Sequence, residues 1–154
     1  MKNSPAVKYA TIQASGDQLI VNSVRRLIGG GHLDFCDSVS FKSTDLSNVG
    51  RGVREALEKY RVDEPRPNWL EIKCQYEANV ASAAGVDSYR ILIRRGIKSV
   101  NIKWTLGTIY LDPLKHEKSG SFVGVDGVNP VIVPDTISDQ ELGEAVVQAL
   151  QRAI

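Results

Sequence analysis

The sequence predicts a single α+β domain: a mostly antiparallel β-sheet packed with about three to four helices. Short β-leaning runs separated by turn residues recur along the chain. Segments with helical spacing of apolar residues follow them, and the most regular of these closes the chain as an amphipathic helix. At 154 residues we expect one domain, spanning residues 1–154, with the helices on one side of the sheet.

The first part of the chain is predicted to be strand-rich. Residues 7–14 and 18–24 flank the turn-forming triplet 15–17, a pattern typical of a β-hairpin. The glycines at 29–31 interrupt any regular element. Because neither a Gly-Lys-Ser/Thr sequence nor a helix follows them, we interpret them as a loop rather than a phosphate-binding site. Residues 33–41 partly alternate and predict a half-exposed strand.

Two helices are predicted in the middle of the chain. The first is capped by Asp45 or Ser43, ends near Arg61, and is followed by a proline-stiffened linker at 62–67. Its apolar stripe consists of Leu46, Val49, Val53 and Leu57. The next begins after Asn68 and ends at Gly85. Its apolar stripe consists of Trp69, Ile72, Tyr76, Val80 and Ala83.

Segment 88–95 is ambiguous. Its Ile-Leu-Ile run fits a buried strand, whereas an Asp/Ser cap, two terminal arginines and a closing glycine favour a short helix. After it, residues 99–104 alternate and 108–111 follow a Leu-Gly turn, which predicts a second hairpin. Residues 112–120 are predicted to form a polar loop, and 121–125 and 131–133 to form strands.

The end of the chain carries the clearest helix signal. Ser138 stands three residues before Glu141, the spacing of a reciprocal N-terminal cap. Asp139 near the start and Arg152 near the end complement the helix dipole. The predicted core-facing stripe consists of Leu142, Val146, Ala149, Leu150 and Ala153.

The first and the last of these helices resemble each other. Residues 49–57 align with residues 142–150 at a constant offset, with Gly50 equivalent to Gly143. A glycine in a first helical turn permits close approach of the backbone to a sheet. The similarity indicates either an internal repeat or two amphipathic helices that converged on similar residues.

Composition and charge limit the classes of function that the chain can have. Lys+Arg number 19 and Asp+Glu 18, so a net charge of +1 argues against a general polyanion binder. No apolar run is long enough to cross a membrane, and the N-terminus lacks the apolar core of a signal peptide. Cys36 and Cys74 are isolated and fit two buried thiols in a reducing compartment. We therefore expect a soluble cytoplasmic protein.

Recognisable catalytic chemistry is missing from the sequence. His32 and Cys36 are too far apart along a strand to share one ion, so we expect no metal, no cofactor and no catalytic residue. One alternative is an enzyme or enzyme subunit whose site uses Arg94, His116 or Glu117. Another is a nucleic-acid binder that uses the basic residues Arg90, Arg94, Arg95, Lys98 and Lys103, which are more typical of a solvated helix end.

The second half of the chain resembles a known family. The segments at 85–90 (Gly-Val-Asp-Ser-Tyr-Arg) and 96–102 (Gly-Ile-Lys-Ser-Val-Asn-Ile) are similar to immunity proteins of bacterial contact-dependent growth inhibition systems. The segment at 120–125 (Gly-Ser-Phe-Val-Gly-Val) and the helix around Glu-Leu-Gly-Glu-Ala at 141–145 follow in the same order. The resemblance implies a protein that binds and neutralises the C-terminal domain of a cognate toxin, often a nuclease.

Toxin-contacting residues are not carried over by the resemblance, so we place them by exposure. The predicted loop at 112–120 is the longest polar connection between strands, and loops on a rigid scaffold commonly carry recognition. Asp112 and Glu117 can accept hydrogen bonds from Lys or Arg on a toxin, and His116 can donate or accept. We expect these three residues to bind the toxin; the alternative is an ordinary solvated loop. No contact with nucleic acid or membrane is expected.

Overall fold

The computed structural model describes residues 6–65, 68–117 and 122–154. These residues form eight strands and four helices: β1 (Val7–Ser15), β2 (Gln18–Leu27), β3 (His32–Lys42), α1 (Leu46–Glu58), β4 (Arg61–Glu64), α2 (Trp69–Ala84), α3 (Tyr89–Arg95), β5 (Lys98–Thr105), β6 (Thr108–His116), β7 (Phe122–Gly124), β8 (Val131–Pro134) and α4 (Asp139–Arg152). The predicted α+β class is confirmed.

The strands form one sheet with the order β3-β2-β1-β5-β6-β7, while β4 pairs with β2 and β8 pairs with β6. Among the described strands every pairing is antiparallel except that of β2 with β4. The two predicted hairpins, β1–β2 and β5–β6, are confirmed. They lie side by side at the centre of the sheet, where β1 pairs with β5.

The main core lies on one face of the sheet, under α1 and α4. Because strand side chains alternate between faces, every second residue of the four central strands points into it. These residues are Ala10, Ile12, Leu19, Val21, Val100, Ile102, Ile109 and Leu111. The helices contribute Val49, Val53, Leu57, Leu142, Val146, Ala149 and Leu150, which confirms most of both predicted stripes. Leu46 is only half-buried.

A second core lies on the opposite face, under α2 and α3. It contains Ile20, Val80, Ala84, Leu92 and Ile97. The prediction that the helices lie on one side of the sheet is therefore wrong. The apolar run at 19–21 has no alternation, which is typical of a strand buried on both faces, as β2 is.

The helix ends follow their sequence signals closely. Ser138 accepts a hydrogen bond from the Glu141 backbone N–H at 3.1 Å, so the predicted cap of α4 is confirmed. Asp45 occupies the cap position of α1 but accepts instead from the Asn48 side chain at 2.6 Å. Segment 88–95 contains a helix, α3, that ends at Gly96 with φ 82°, as the glycine predicted.

The glycines of α1 and α4 bring the two helices together. A Cβ on Gly50 would stand 2.7 Å from the carbonyl carbon of Asp139, and one on Gly143 would stand 2.7 Å from that of Leu46. The predicted close approach is therefore real, but it joins helix to helix rather than helix to sheet. Backbones in contact leave no room for a side chain at either glycine.

The predicted end of the first helix and the predicted linker are wrong, and five predicted side chains lie outside the described residues. The helix expected to end near Arg61 ends at Glu58, and part of the expected linker 62–67 belongs to β4, which pairs with β2 in parallel. The side chains of Trp69, Ile72 and Cys74, predicted as core aromatic, core aliphatic and buried thiol, lie outside the described residues, as do those of His32 and Cys36.

Candidate functional site

The part of the sheet formed by β6, β8 and the stretch of β5 beyond the buried Ser99 is covered by described helices on one face only. Its inner face packs against α4, whereas on the other side of the sheet α2 contacts β2 and β3, and α3 packs beside α2 with Leu92 in the cluster around Ile20. We call five of its outward residues the open face: Asn101, Lys103, Tyr110, Asp112 and Ile132. Ile132 is 57% exposed and the other four are half-buried.

Strand register places these side chains next to one another. Asn101 faces Asp112 across β5 and β6, and Lys103 faces Tyr110 in the neighbouring pair. Tyr110 also faces Ile132 on β8. Directly opposed residues on one face of an antiparallel pair have Cβ atoms about 5 Å apart, so the five side chains form one continuous patch.

The patch is amphipathic. The Lys103 ammonium lies 4.6 Å from the centroid of the Tyr110 ring, a cation–π contact that leaves its positive charge unneutralised. Within the described residues, neither Lys103 nor Asp112 forms an ion pair. The open face therefore offers one cation, one anion and the apolar surfaces of Tyr110 and Ile132.

The structure places Asp112 in a strand and not in a loop. The prediction of a polar loop at 112–120 is wrong for its first part, because β6 extends to His116. Asp112 pairs with Asn101 and Pro113 pairs with Val100, so β5 supplies the backbone partners that a loop would lack. Asp112 is accessible because it points away from the core, and residues 118–120 lie outside the described residues.

The other two predicted toxin-contact residues lie at the far end of β6. His116 is on the same face of β6 as Asp112, about 13 Å further along at the usual strand rise. Its ring packs against Phe122 with centroids 4.8 Å apart, and its buried Nε2 has no hydrogen-bond partner among the described residues. Glu117 follows the strand and is half-buried. The three residues are therefore spread along a line rather than gathered at one point.

The basic cluster lies on α3 and the residues after it. The side chains of Arg90, Arg94, Arg95 and Lys98 are all exposed. Arg94 and Arg95 occupy the last turn, where cations interact favourably with the helix dipole. Arg94, one residue of the alternative enzyme site, is thus a solvated side chain, whereas the ring of His116 is packed against Phe122.

A small cavity of about 180 Å³ opens beside the main core, lined in part by Arg54, Trp104 and Asp135. Its polar groups already have partners: the Arg54 guanidinium binds the Asp139 carboxylate at 2.8 Å, and the Trp104 indole N–H donates to Asp135 at 2.8 Å. Lys8 pairs with Glu58 at 3.4 Å. These contacts join α1, β5 and the start of α4. Because they occupy the polar groups of the cavity, we interpret it as part of the packing between these elements rather than as a binding site.

The described residues contain neither a group of metal ligands nor a helix that could span a membrane. Among the described residues, no three His, Cys, Asp or Glu side chains are grouped so that they could hold a metal ion. None of the described helices is long and apolar enough to span a membrane.

Tyr110 and Ile132 are absent from the site residues predicted from the sequence, and Lys103 is named there only in the basic cluster of the nucleic-acid alternative. For Lys103 and Tyr110, the sequence pattern indicates an outward position on a strand. Lys103 lies on the polar side of the alternating segment 99–104, and Tyr110 is an aromatic residue at an outward strand position. Ile132 lies in the predicted strand 131–133, and it is exposed because none of the described helices covers this side of β8.

Comparisons with known proteins give a family and a fold. The family model described as "CdiI: CDI immunity protein" matches residues 8–153. A "Protein of Unknown Function NMB0488 from Neisseria meningitidis" superposes with a TM-score of 0.82 at 21% identity, covering 100% of both chains. A chain of the "CdiA-CT/CdiI toxin and immunity complex from Yersinia pseudotuberculosis" superposes with a TM-score of 0.77 at 19% identity, covering 99% of this chain and 100% of that one. No curated protein sequence matches the chain.

Proposed function

The chain belongs to the family of CDI immunity proteins, and from this premise we propose that it binds and neutralises the cognate toxin domain of a contact-dependent growth inhibition system. The observation that carries the proposal is the family match, which spans 8–153 of the 154 residues. The shared fold with a chain of the Yersinia pseudotuberculosis toxin and immunity complex supports the same role.

The mechanism we propose is inhibition by occlusion. The immunity protein acts in the cytoplasm, as a binder rather than an enzyme, and covers the active site or the substrate surface of the toxin's C-terminal domain. This action requires a complementary surface but no catalytic side chain, cofactor or direct contact with nucleic acid. We propose that the toxin is a nuclease. Because nucleases bind a polyanion through cationic groups, acidic side chains on an inhibitor would accelerate its association with them.

The toxin-binding residues we propose are Asp112, His116 and Glu117. Asp112 projects from an uncovered sheet face, and Glu117 follows the strand at its end. Their carboxylates can accept charge-assisted hydrogen bonds from Lys or Arg on the toxin. His116 lies between them, half-buried against Phe122, and the exposed part of its ring can contact the toxin beside the two carboxylates.

Co-purification tests the proposal. The chain is expressed with an affinity tag together with the toxin C-terminal domain encoded beside it, and with a non-cognate toxin domain as the control. We expect the cognate domain to be retained in equal molar amount through a salt wash and the control domain to be lost. Loss of both domains would contradict the proposed function.

A further inference from the structure

The two hairpins of the sheet are related by a constant sequence offset. In the first, Ala10 faces Ser23, and in the second, Val100 faces Pro113, so both strands are shifted by 90 residues. At the centre of the sheet Thr11 faces Asn101, which are also 90 residues apart. When equivalent residues face each other across an antiparallel pair, a two-fold axis passes between them.

The third strand and the helix of each half obey the same relation. Leu19 faces Phe41 on β3, and the equivalent Ile109 faces Val133 on β8, an offset of 90 on one strand and 92 on the other. In α1 and α4 the offset is 93, as in the Ser47–Gln140 hydrogen bond of 2.9 Å.

Contacts between the two helices are also reciprocal. Gly50 lies against Asp139 and Gly143 lies against Leu46, so each helix offers the same two positions to the other. The chain is thus built from two units of three strands and a helix, β1-β2-β3-α1 and β5-β6-β8-α4, related by a pseudo-two-fold axis. This geometry favours the internal repeat over convergence of two helices.

The symmetry is broken on one face. In the first unit, α2 and α3 cover the outward residues: Ile20 is fully buried with Val80 and Leu92, and Gln13 donates to the Tyr76 hydroxyl at 3.0 Å. In the second unit the residues equivalent to Ile20 and Gln13 are Tyr110 and Lys103. Both belong to the open face, which none of the described helices covers.

We infer that the toxin domain docks on the open face, in the place that α2 and α3 occupy on the first unit. The inference rests on the proposed function and adds the location of the interface. The equivalent face of the first unit is buried under α2 and α3, which shows that this sheet geometry accommodates helices packed against it. Tyrosine is enriched among interface residues that dominate binding, and Tyr110 stands at the centre of the patch, facing both Lys103 and Ile132.

The unpaired charges define the chemistry of the partner. Lys103 and Asp112 each lack an ion pair within the described residues, so a complementary toxin surface presents a carboxylate to Lys103 and a Lys or Arg side chain to Asp112. Between these two groups it presents an apolar side chain to Tyr110 and Ile132. A uniformly basic or uniformly acidic toxin surface fits this pattern less well, because one of the two charges would be buried against a like charge.

The test compares two exposed apolar residues on opposite halves of the sheet. Ile132→Asp places a carboxylate on the open face, whereas Leu70→Asp places one on α2, which packs against β2 and β3; the two residues are 57% and 73% exposed. Dissociation from the toxin domain encoded beside the chain is measured for both variants and for Tyr110→Ala. We expect dissociation to be at least tenfold faster for Ile132→Asp and Tyr110→Ala, and unchanged for Leu70→Asp.

The outcomes separate the two proposals. If the wild-type chain does not bind the toxin domain, the proposed function fails. If the wild type binds, and Ile132→Asp dissociates within about threefold of it while keeping its melting curve, the open face is not the interface. Equal weakening by Leu70→Asp would also overturn the inference. Because Ile132 is exposed, Ile132→Asp keeps the test decisive even if Tyr110→Ala unfolds the chain.

Discussion

At the scale of single residues, Asp112 on β6 and Glu117 just after its end are the acidic residues that we propose contact the toxin. Asp112 was selected because it was expected in a loop, yet it projects from the middle of a sheet. Asp112 points away from the core because its neighbours at 111 and 113 are buried, and its role in toxin binding stays a prediction. The packing of His116 against Phe122 could not be predicted, because it depends on the pairing of β6 with β7.

Removing both acidic groups should weaken toxin binding. For the double variant Asp112→Ala and Glu117→Ala we expect at least tenfold faster dissociation, since truncating one partner of a buried interfacial charge pair costs about 2–5 kcal/mol. The matched control is Glu55→Ala with Glu144→Ala, two exposed glutamates on α1 and α4, on the other side of the sheet. Both variants lose two negative charges, so any difference between them is local.

The measurement is surface-immobilised dissociation kinetics, after melting curves have shown that both variants fold like the wild type. A rate for the Asp112/Glu117 variant within about threefold of the control would remove these two carboxylates from the interface.

At the scale of elements, the contact between α1 and α4 requires glycine at positions 50 and 143. Gly50→Ala and Gly143→Ala should each destabilise the protein by about 1–3 kcal/mol, the usual cost of overpacking. A helical glycine-to-alanine change ordinarily stabilises by up to about 1 kcal/mol. Here we expect overpacking to prevail, because the added carbon would meet the backbone of the other helix, which cannot move aside as a side chain can.

Thermal unfolding checks this expectation, with Gly124→Ala as the control, since a Cβ there meets nothing within 4 Å. In a chain of this size each 1 kcal/mol corresponds to a shift of about 2–4 °C in melting temperature. An unchanged or raised melting temperature for Gly50→Ala would show that the helices are further apart than the structure has them.

The same elements show what a sequence can predict. The cap and stripe of α4 are local signals, and both were predicted correctly. The parallel strand β4 was predicted as a linker because its residues acquire strand geometry only by pairing with Arg25 and Leu27, which are distant in sequence. The extension of β6 was missed for the same reason: residues 112–113 are in a strand because β5 supplies their partners, and residues 114–116 because β7 does.

At the scale of the whole molecule, the two related units explain both the fold and the candidate site. The repeat was visible in the sequence only at the glycine-bearing helices, since the strands preserve a pattern of burial and not a set of residues. The candidate site could not be located from the sequence, because it lies where none of the described helices gives the second unit the cover that α2 and α3 give the first. The unequal covering of two similar units distinguishes the open face from the rest of the surface.

Neutralisation of a toxin by direct binding predicts a fixed stoichiometry, which a titration of toxin activity measures. Increasing amounts of the chain are added to a fixed amount of the cognate toxin domain, well above the dissociation constant, and the remaining activity of the toxin is measured. We predict a linear fall that reaches zero at about one molar equivalent, as expected for a tight inhibitor. Complete inactivation by a small fraction of an equivalent would indicate an enzyme, and undiminished activity at an excess of the chain would contradict neutralisation altogether.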